Sequence, residues 1–417
     1  MSETTGKSGG GHWRLVLMVC IAQTLVQIGA FFWPALLPQL APAWSLTNSA
    51  AGWVTAAFYG AYMLSVPLLV TLTDRVDPKR IYLLGVGLTV VGHALFAVAA
   101  DGFWSALACR ALTGIGWAGT YMTGLKLLAD RVDARMMSRA TAGHAASIGI
   151  SGALSFATGD VLAGLFGWRS AFLVASLSAL VAWFMIAAVV PRQEPRKPGS
   201  ASGGGLYDFW PVLRNRSAMA YAMAYAIHTL EMSALRGWGV AFLAYVAAST
   251  GTTATAISPA VLATTLGLLG TMASILGNEA AIRFGRRALV QTAMMGSILL
   301  GATIGFVATG SYWLAAVLIL LYGFVIWFDS SSLTAGTAGT AEPSRRGATL
   351  AVHSTLGYAG GFVGPLLIGF VLDLGGGASS TSWGLAFASV AGLMLLALAA
   401  FCWIRPRELA GDRGSKE

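Results

Sequence analysis

Residues 73 to 80 read TDRVDPKR. This run of two acids and three bases separates two apolar stretches, near 48–72 and 80–100, each about the 20 residues that an α-helix needs to cross a bilayer. Five ionisable groups in eight residues are too costly to hold in hydrocarbon, so the run marks a membrane surface between two spans. Working outward, apolar windows recur near 14–38, 103–127, 141–163 and 170–190, then near 217–246, 255–278, 288–309, 312–336, 348–372 and 383–404. The expected fold class is therefore an all-α polytopic membrane protein with twelve transmembrane helices.

Composition supports that reading. The 417 residues are 56% hydrophobic and 10% charged, against about 25% charged in an ordinary soluble domain. The 52 glycines suit membrane helices that pack backbone to backbone. Between the sixth and seventh windows lies PRQEPRKPGSASGGG, residues 191–205, whose Pro, Gly and Ser content reads as a linker. It divides the chain into a six-helix half at 1–190, a linker at 191–216 and a second half at 217–417. The halves repeat at an offset of 208 residues, so that Arg75 maps onto Arg283 and Gly152 onto Gly360. Two matched six-helix repeats are a transporter architecture.

The formal charge of +9 raises the question of a nucleic-acid partner, which its distribution answers. Every Lys and Arg except Arg110, Arg169 and Arg236 falls in alternate turns, in the linker or at the termini. That is the positive-inside bias, which places both termini and the linker in the cytoplasm and accounts for the basic balance without nucleic acid. Cys20, Cys109 and Cys402 stand far apart in apolar runs, a spacing that indicates neither a disulfide framework nor a zinc site. Gly114, Gly116 and Gly119 spell GxGxxG, but with no strand before them they read as a helix-packing face instead of a nucleotide fingerprint. No HExxH, nucleophile elbow or phosphate-binding loop occurs, so neither an enzyme nor a cofactor is expected.

The quoted loop resembles the Asp-Arg-x-Gly-Arg-Arg loop of the major facilitator superfamily. RFGRR at 283–287 resembles its second-half counterpart, RALTGIGWAG from Arg110 the Arg-x-x-x-Gly-x-Gly motif of the fourth helix, and GGFVGPLLIG at 360–369 the Gly-Pro motif of the eleventh. Val70 and Asp77 stand where the first loop motif has glycines, Ile282 where the second has an acid, and the fifth helix, SGALSFATGD, lacks the Gly-Pro pair of drug antiporters. The resemblance implies a monomeric solute carrier of the bacterial inner membrane. Asp74, Arg75, Arg283, Arg286 and Arg287 would form its inner gate, and surplus cations would face membrane lipid.

Charges inside spans mark the candidate site, because they must face a cavity or a partner. They are Arg110 in the fourth window, His228, Glu231 and Arg236 in the seventh and Asp329 in the tenth. Gln23 and Gln27, at i and i+4, share a face, as do His228 and Glu231; Trp117 and Tyr121 follow Arg110 on one face, and Tyr322 precedes Asp329 by seven. Gln23, Gln27, Arg110, Trp117, Tyr121, His228, Arg236 and Tyr322 are the expected solute ligands, with Glu231 or Asp329 carrying a coupling proton. The solute would be a small organic anion or polar metabolite. Export of amphipathic drugs is the alternative, with Trp117, Trp238 and Trp327 lining an adaptable cavity. His93, His144 and His353 read as packing residues, and Asp160 and Asp373 as outer-end residues.

This topology is testable with reporter fusions. A periplasmic reporter is expected to be silent at Gly203 and active at Gly310, and the reverse pattern overturns the assignment.

Overall fold

The computed structural model describes residues 7–73, 75–193, 209–252 and 257–413. In the first half of the chain run α1 (Lys7–Gln27), α2 (Phe32–Ala43), α3 (Asn48–Leu72), α4 (Pro78–Ala99), α5 (Phe103–Ala118), α6 (Tyr121–Ala129), α7 (Ala134–Phe166) and α8 (Trp168–Val189). After the short α9 (Trp210–Arg214) come α10 (Arg216–Ser249), α11 (Pro259–Phe284), α12 (Arg286–Val307), α13 (Tyr312–Phe328), α14 (Ser330–Thr340), α15 (Arg346–Leu374) and α16 (Ser380–Ile404). Strands are absent among the described residues. Among the described residues ten spans are long and apolar enough to cross a membrane. The segments 103–129 and 216–249 lie outside those ten; the first is interrupted at Gly119–Thr120 and carries Arg110, and the second carries His228, Glu231 and Arg236.

Three of the expected continuous spans are interrupted. The first breaks at residues 28–31 between α1 and α2, the fourth between α5 and α6, and the tenth at Asp329 between α13 and α14. Elsewhere the ends are set locally. Pro78 opens α4, where its missing N–H costs nothing, and Asp77 caps it by accepting the Lys79 amide at 2.9 Å. Ser258 and Pro259 open α11 in the same way, and Asn215 caps α10.

The chain forms two compact units, one of residues 1–36 and 60–202, the other of 37–59 and 203–417. In the first, α4 packs on α5 and α8, and α1 on α7 and α8. Gly116 and Gly119 meet Gly85 so closely that a Cβ at 119 would lie 2.8 Å from the Gly85 Cα. The GxGxxG run is thus the small-residue seam expected of it. In the second unit α10 packs along α15, α12 on α16 and α11 on α13. A Cβ at Gly360 or Gly364 would collide with the Ala226 or Leu230 carbonyl of α10.

Helix α3 is shared between the units, its residues 48–59 belonging to the second. There Asp373, at the end of α15, accepts the Asn48 amide at 3.0 Å and the Ser49 amide at 2.7 Å, so a carboxylate from another helix caps α3. Both units expose large apolar side chains, with Leu68 70% exposed in the first and Phe370 56% in the second, as a lipid-facing wall requires.

Because its Cβ space is occupied by backbone, which cannot yield as a side chain can, Gly360→Leu should destabilise the second unit by about 3 kcal/mol or more. A marked fall in the thermal midpoint of the purified protein is expected, and an unchanged midpoint refutes the seam.

Candidate functional site

A cluster of buried ionisable groups lies in the second unit. Glu231 on α10 is 1% exposed, and its Oε1 accepts hydrogen bonds from Ser297 Oγ of α12 at 2.5 Å and Tyr322 OH of α13 at 2.6 Å. One turn earlier, His228 Nδ1 stands 2.8 Å from Asp329 Oδ1, with both side chains almost wholly buried. Asp329 sits at the junction of α13 and α14, where the interrupted helix presents its carboxylate to α10. Among the described residues His228 Nε2 has no hydrogen-bond partner.

A stack of rings extends the cluster. Tyr225 lies over His228 with ring centres 5.6 Å apart and over His353 at 3.9 Å. His353 is held in turn by the Thr334 and Thr337 hydroxyls, at 3.2 and 3.1 Å. Five residues beyond Glu231, the Arg236 guanidinium sits 4.9 Å from the centre of the Trp327 ring, with Tyr59 as a hydrogen-bond partner. A cation over an indole face is attracted by the ring quadrupole and still projects its N–H edge. An acid between two hydroxyls, an acid–imidazole pair and a guanidinium framed by aromatics thus occupy about two turns of α10. Trp238 is placed differently, 2% exposed and donating Nε1–H to the Pro365 carbonyl at 2.9 Å.

In the first unit, Gln23 and Gln27 are buried and bonded to each other at 3.3 Å, and Tyr82 OH donates to Gln23 at 3.1 Å. Arg110, 1% exposed, donates to the Ala30 carbonyl at 3.0 Å. The reason is in the sequence. In an unbroken helix that carbonyl would accept from residue 34, which is proline and has no N–H, so the break after α1 leaves an acceptor that Arg110 takes. The Phe31 amide of the same break donates to Ser155 Oγ at 2.9 Å. Trp117 packs on Tyr62, with ring centres 4.7 Å apart, and stacks on Tyr121 at 6.2 Å, which stacks on His144. This unit offers an aromatic ladder where the second offers ionisable groups.

At the loops, Asp74 lies outside the described residues, and Arg75 is exposed. Arg283 pairs with Glu279 at 2.8 Å on the surface. Arg286 is 2% exposed and makes a two-pronged pair with Asp412, Nε to Oδ2 at 2.8 Å and Nη2 to Oδ1 at 3.1 Å, while Nη1 reaches Asn278 and the Ser332 carbonyl. Arg287 pairs with Glu408 at 3.2 Å. Glu408 also accepts the Arg286 and Arg287 amides at 2.9 and 3.1 Å, so it caps α12, whose own N-cap, Gly285, has no side chain. In the first unit Asp77 has the corresponding duty, accepting Arg131 Nη2 at 2.6 Å and the Gln193 amide at 2.9 Å. Burial opposes ionisation of Asp77, but the hydrogen bonds from Gln193, Lys79 and Arg131 prevail and hold its carboxyl below the usual range.

Sequence reasoning missed Ser297, Tyr225, Asp77, Glu408 and Asp412. Glu408 and Asp412 carried a faint signal as an i, i+4 pair of acids in a basic tail; Ser297, one serine in an apolar run, carried none.

Since removing one partner of a buried ion pair strands the other, Asp412→Asn should cost about 3–5 kcal/mol, and the double variant Arg286→Met/Asp412→Leu should recover most of that. Equal losses in both, read as unfolding midpoints, contradict the pairing.

Residues 19–238 match the family model described as Major Facilitator Superfamily. An uncharacterised MFS-type transporter of Bacillus subtilis (strain 168) is 27% identical over 186 residues, 45% of this chain and 47% of the relative. The chloramphenicol resistance protein of Streptomyces lividans is 26% identical over 187 residues, with coverage of 45% and 47%. The chain thus spans about half the length of these curated relatives, 47% in each case. Among solved structures, a bacterial homolog of the human lysosomal transporter Spinster, inward-facing and occupied, superposes with a TM-score of 0.75 at 15% identity, covering 94% of this chain and 96% of that one.

Proposed function

The chain belongs to the major facilitator superfamily, and from that premise we propose that it is a proton-coupled secondary transporter that moves a small organic anion or polar metabolite across the bacterial inner membrane by alternating access. Its twelve helices form two repeats, 1–190 and 217–417, joined by the linker 191–216, with both termini cytoplasmic, and it works as a monomer. The observation that carries this reading is the buried Glu231 held between Ser297 and Tyr322, five residues from Arg236. Hydroxyls donate to a carboxylate and accept from a carboxylic acid, so Ser297 and Tyr322 can serve Glu231 in either protonation state without water.

Arg236 is the solute's anchor. Its fork suits a carboxylate or phosphate bidentately, and the Trp327 and Tyr59 rings that frame it suit a planar organic body. An arriving anion competes with Glu231 and Asp329 for the local positive charge, which links solute binding to proton binding. Asp329 and His228 stand as the second proton-bearing pair. In the first unit, Arg110 holds the interrupted first helix, and Trp117 and Tyr121 supply an aromatic wall; Gln23 and Gln27 steady α1 beside it. Asp74, Arg75, Arg283, Arg286 and Arg287 govern exchange at the inner side.

Proton-linked efflux of an amphipathic drug is the second reading. The Tyr62–Trp117–Tyr121 ladder favours it, as does likeness to a chloramphenicol resistance protein. Resistance profiles of expressing and deleted cells separate the two.

In proteoliposomes, Arg236→Lys should weaken binding of an anionic solute about tenfold or more, because lysine keeps the charge and loses the planar fork. Glu231→Gln should exchange solute across the membrane yet fail to accumulate it, and Asp329→Asn tests the second pair in the same way. Retention of pH-dependent accumulation by both neutral variants refutes coupling through these acids.

A further inference from the structure

Two clefts, one in each unit, occupy equivalent places in the repeat. The first, of about 730 Å³, lies where the start of α1, the α6–α7 turn and the end of α8 meet, and Arg14, Arg131 and Arg192 line it. The second, of about 670 Å³, lies where the start of α10, the α14–α15 turn and the end of α16 meet. Arg214, Arg216, Arg346 and Arg407 line that one. In each repeat these are the start of the first span, the turn after the fourth and the end of the sixth.

The carboxylates at both clefts are engaged elsewhere. Asp130 pairs with Lys126 at 3.4 Å, Glu342 lies 3.9 Å from Arg345, and Glu408 holds Arg287 and the start of α12. Among the described residues Arg14, Arg192, Arg216, Arg346 and Arg407 are exposed and have no ion-pair partner. An exposed tryptophan precedes a lining residue of each cleft in the chain, Trp13 at 54% before Arg14 and Trp210 at 61% before Pro211, the latter with the Arg214 guanidinium 5.1 Å from its ring centre. Tryptophan favours the headgroup level of a bilayer, where one edge is apolar and the other wet.

We propose that these clefts are a symmetric pair of binding sites for the phosphate headgroup of an anionic phospholipid. Charge bias in the loops calls for cations on this side; it does not call for their gathering, uncompensated, round a concavity twice at the same place in the repeat. Each cleft is the size of a small-ligand site, and its guanidinium forks match phosphate oxygens. The adjacent tryptophan sets the depth at which a lipid phosphate lies, and a free phosphate would gain nothing from it.

The test is native mass spectrometry of the detergent-purified protein with phosphatidylglycerol, with phosphatidylcholine and with inorganic phosphate. Two phosphatidylglycerol molecules retained per chain, in preference to phosphatidylcholine, are expected. Arg14→Gln/Arg192→Gln should remove one of them and Arg346→Gln/Arg407→Gln the other, with affinity falling roughly fivefold for each arginine lost. Arg→Lys at the same positions should bind more weakly than the parent and more tightly than the Gln variants, because lysine keeps the charge and loses the fork. Equal retention of the two lipids, or unchanged stoichiometry in both double variants, overturns the proposal. Displacement of phosphatidylglycerol by millimolar phosphate also overturns the lipid assignment and leaves a soluble-anion site in its place.

Discussion

Glu231, at 1% exposure, has no bulk water to stabilise a charge, and the second unit is arranged around that fact. An isolated carboxylate in such surroundings would cost more than a domain's whole stability. Hydroxyls from two neighbouring helices, Ser297 and Tyr322, hydrogen-bond it instead, while His228 Nδ1 and Asp329 Oδ1 stand 2.8 Å apart one turn away. The consequence is geometric as well as energetic. Because both donors are fixed on α12 and α13, the register of α10 against them is fixed too, and with it the place of Arg236 over Trp327.

The same demand, that every polar group find a partner within the protein, explains where the spans break. Pro34 cannot donate to the Ala30 carbonyl, so the first span is interrupted and Arg110 completes the bond from α5. The tenth span stops at Asp329, which frees that residue to meet His228. An interruption at membrane depth is tolerable where protein surrounds it, and both of these lie in buried parts of their units.

These particulars also show what could be read in advance. Ten of the twelve expected spans were legible among the described residues because hydropathy is a local property, and the loop around Asp77, inside the matched residues 19–238, carried the family resemblance that the match bears out. The intramembrane charges were legible as a set for the same reason. Their partners were not. The Ala30 carbonyl for Arg110 lies 80 residues away, and Asp412 for Arg286 lies 126 away. Helix interruptions left the apolar windows unbroken; Pro34 was a visible cause, but its effect depends on a guanidinium from another span.

The distance from Arg286 to Asp412 has a consequence for biogenesis. During synthesis Arg286 enters the nascent second unit 126 residues before the carboxylate that neutralises it, and α12 lacks its cap until Glu408 follows. For the time the translocon takes to deliver α13 to α16, the second unit carries an unmatched cation and an open helix start. Its native packing is therefore closed by residues 408–412, which follow every helix of the unit along the chain and fold back onto Arg286 and the start of α12.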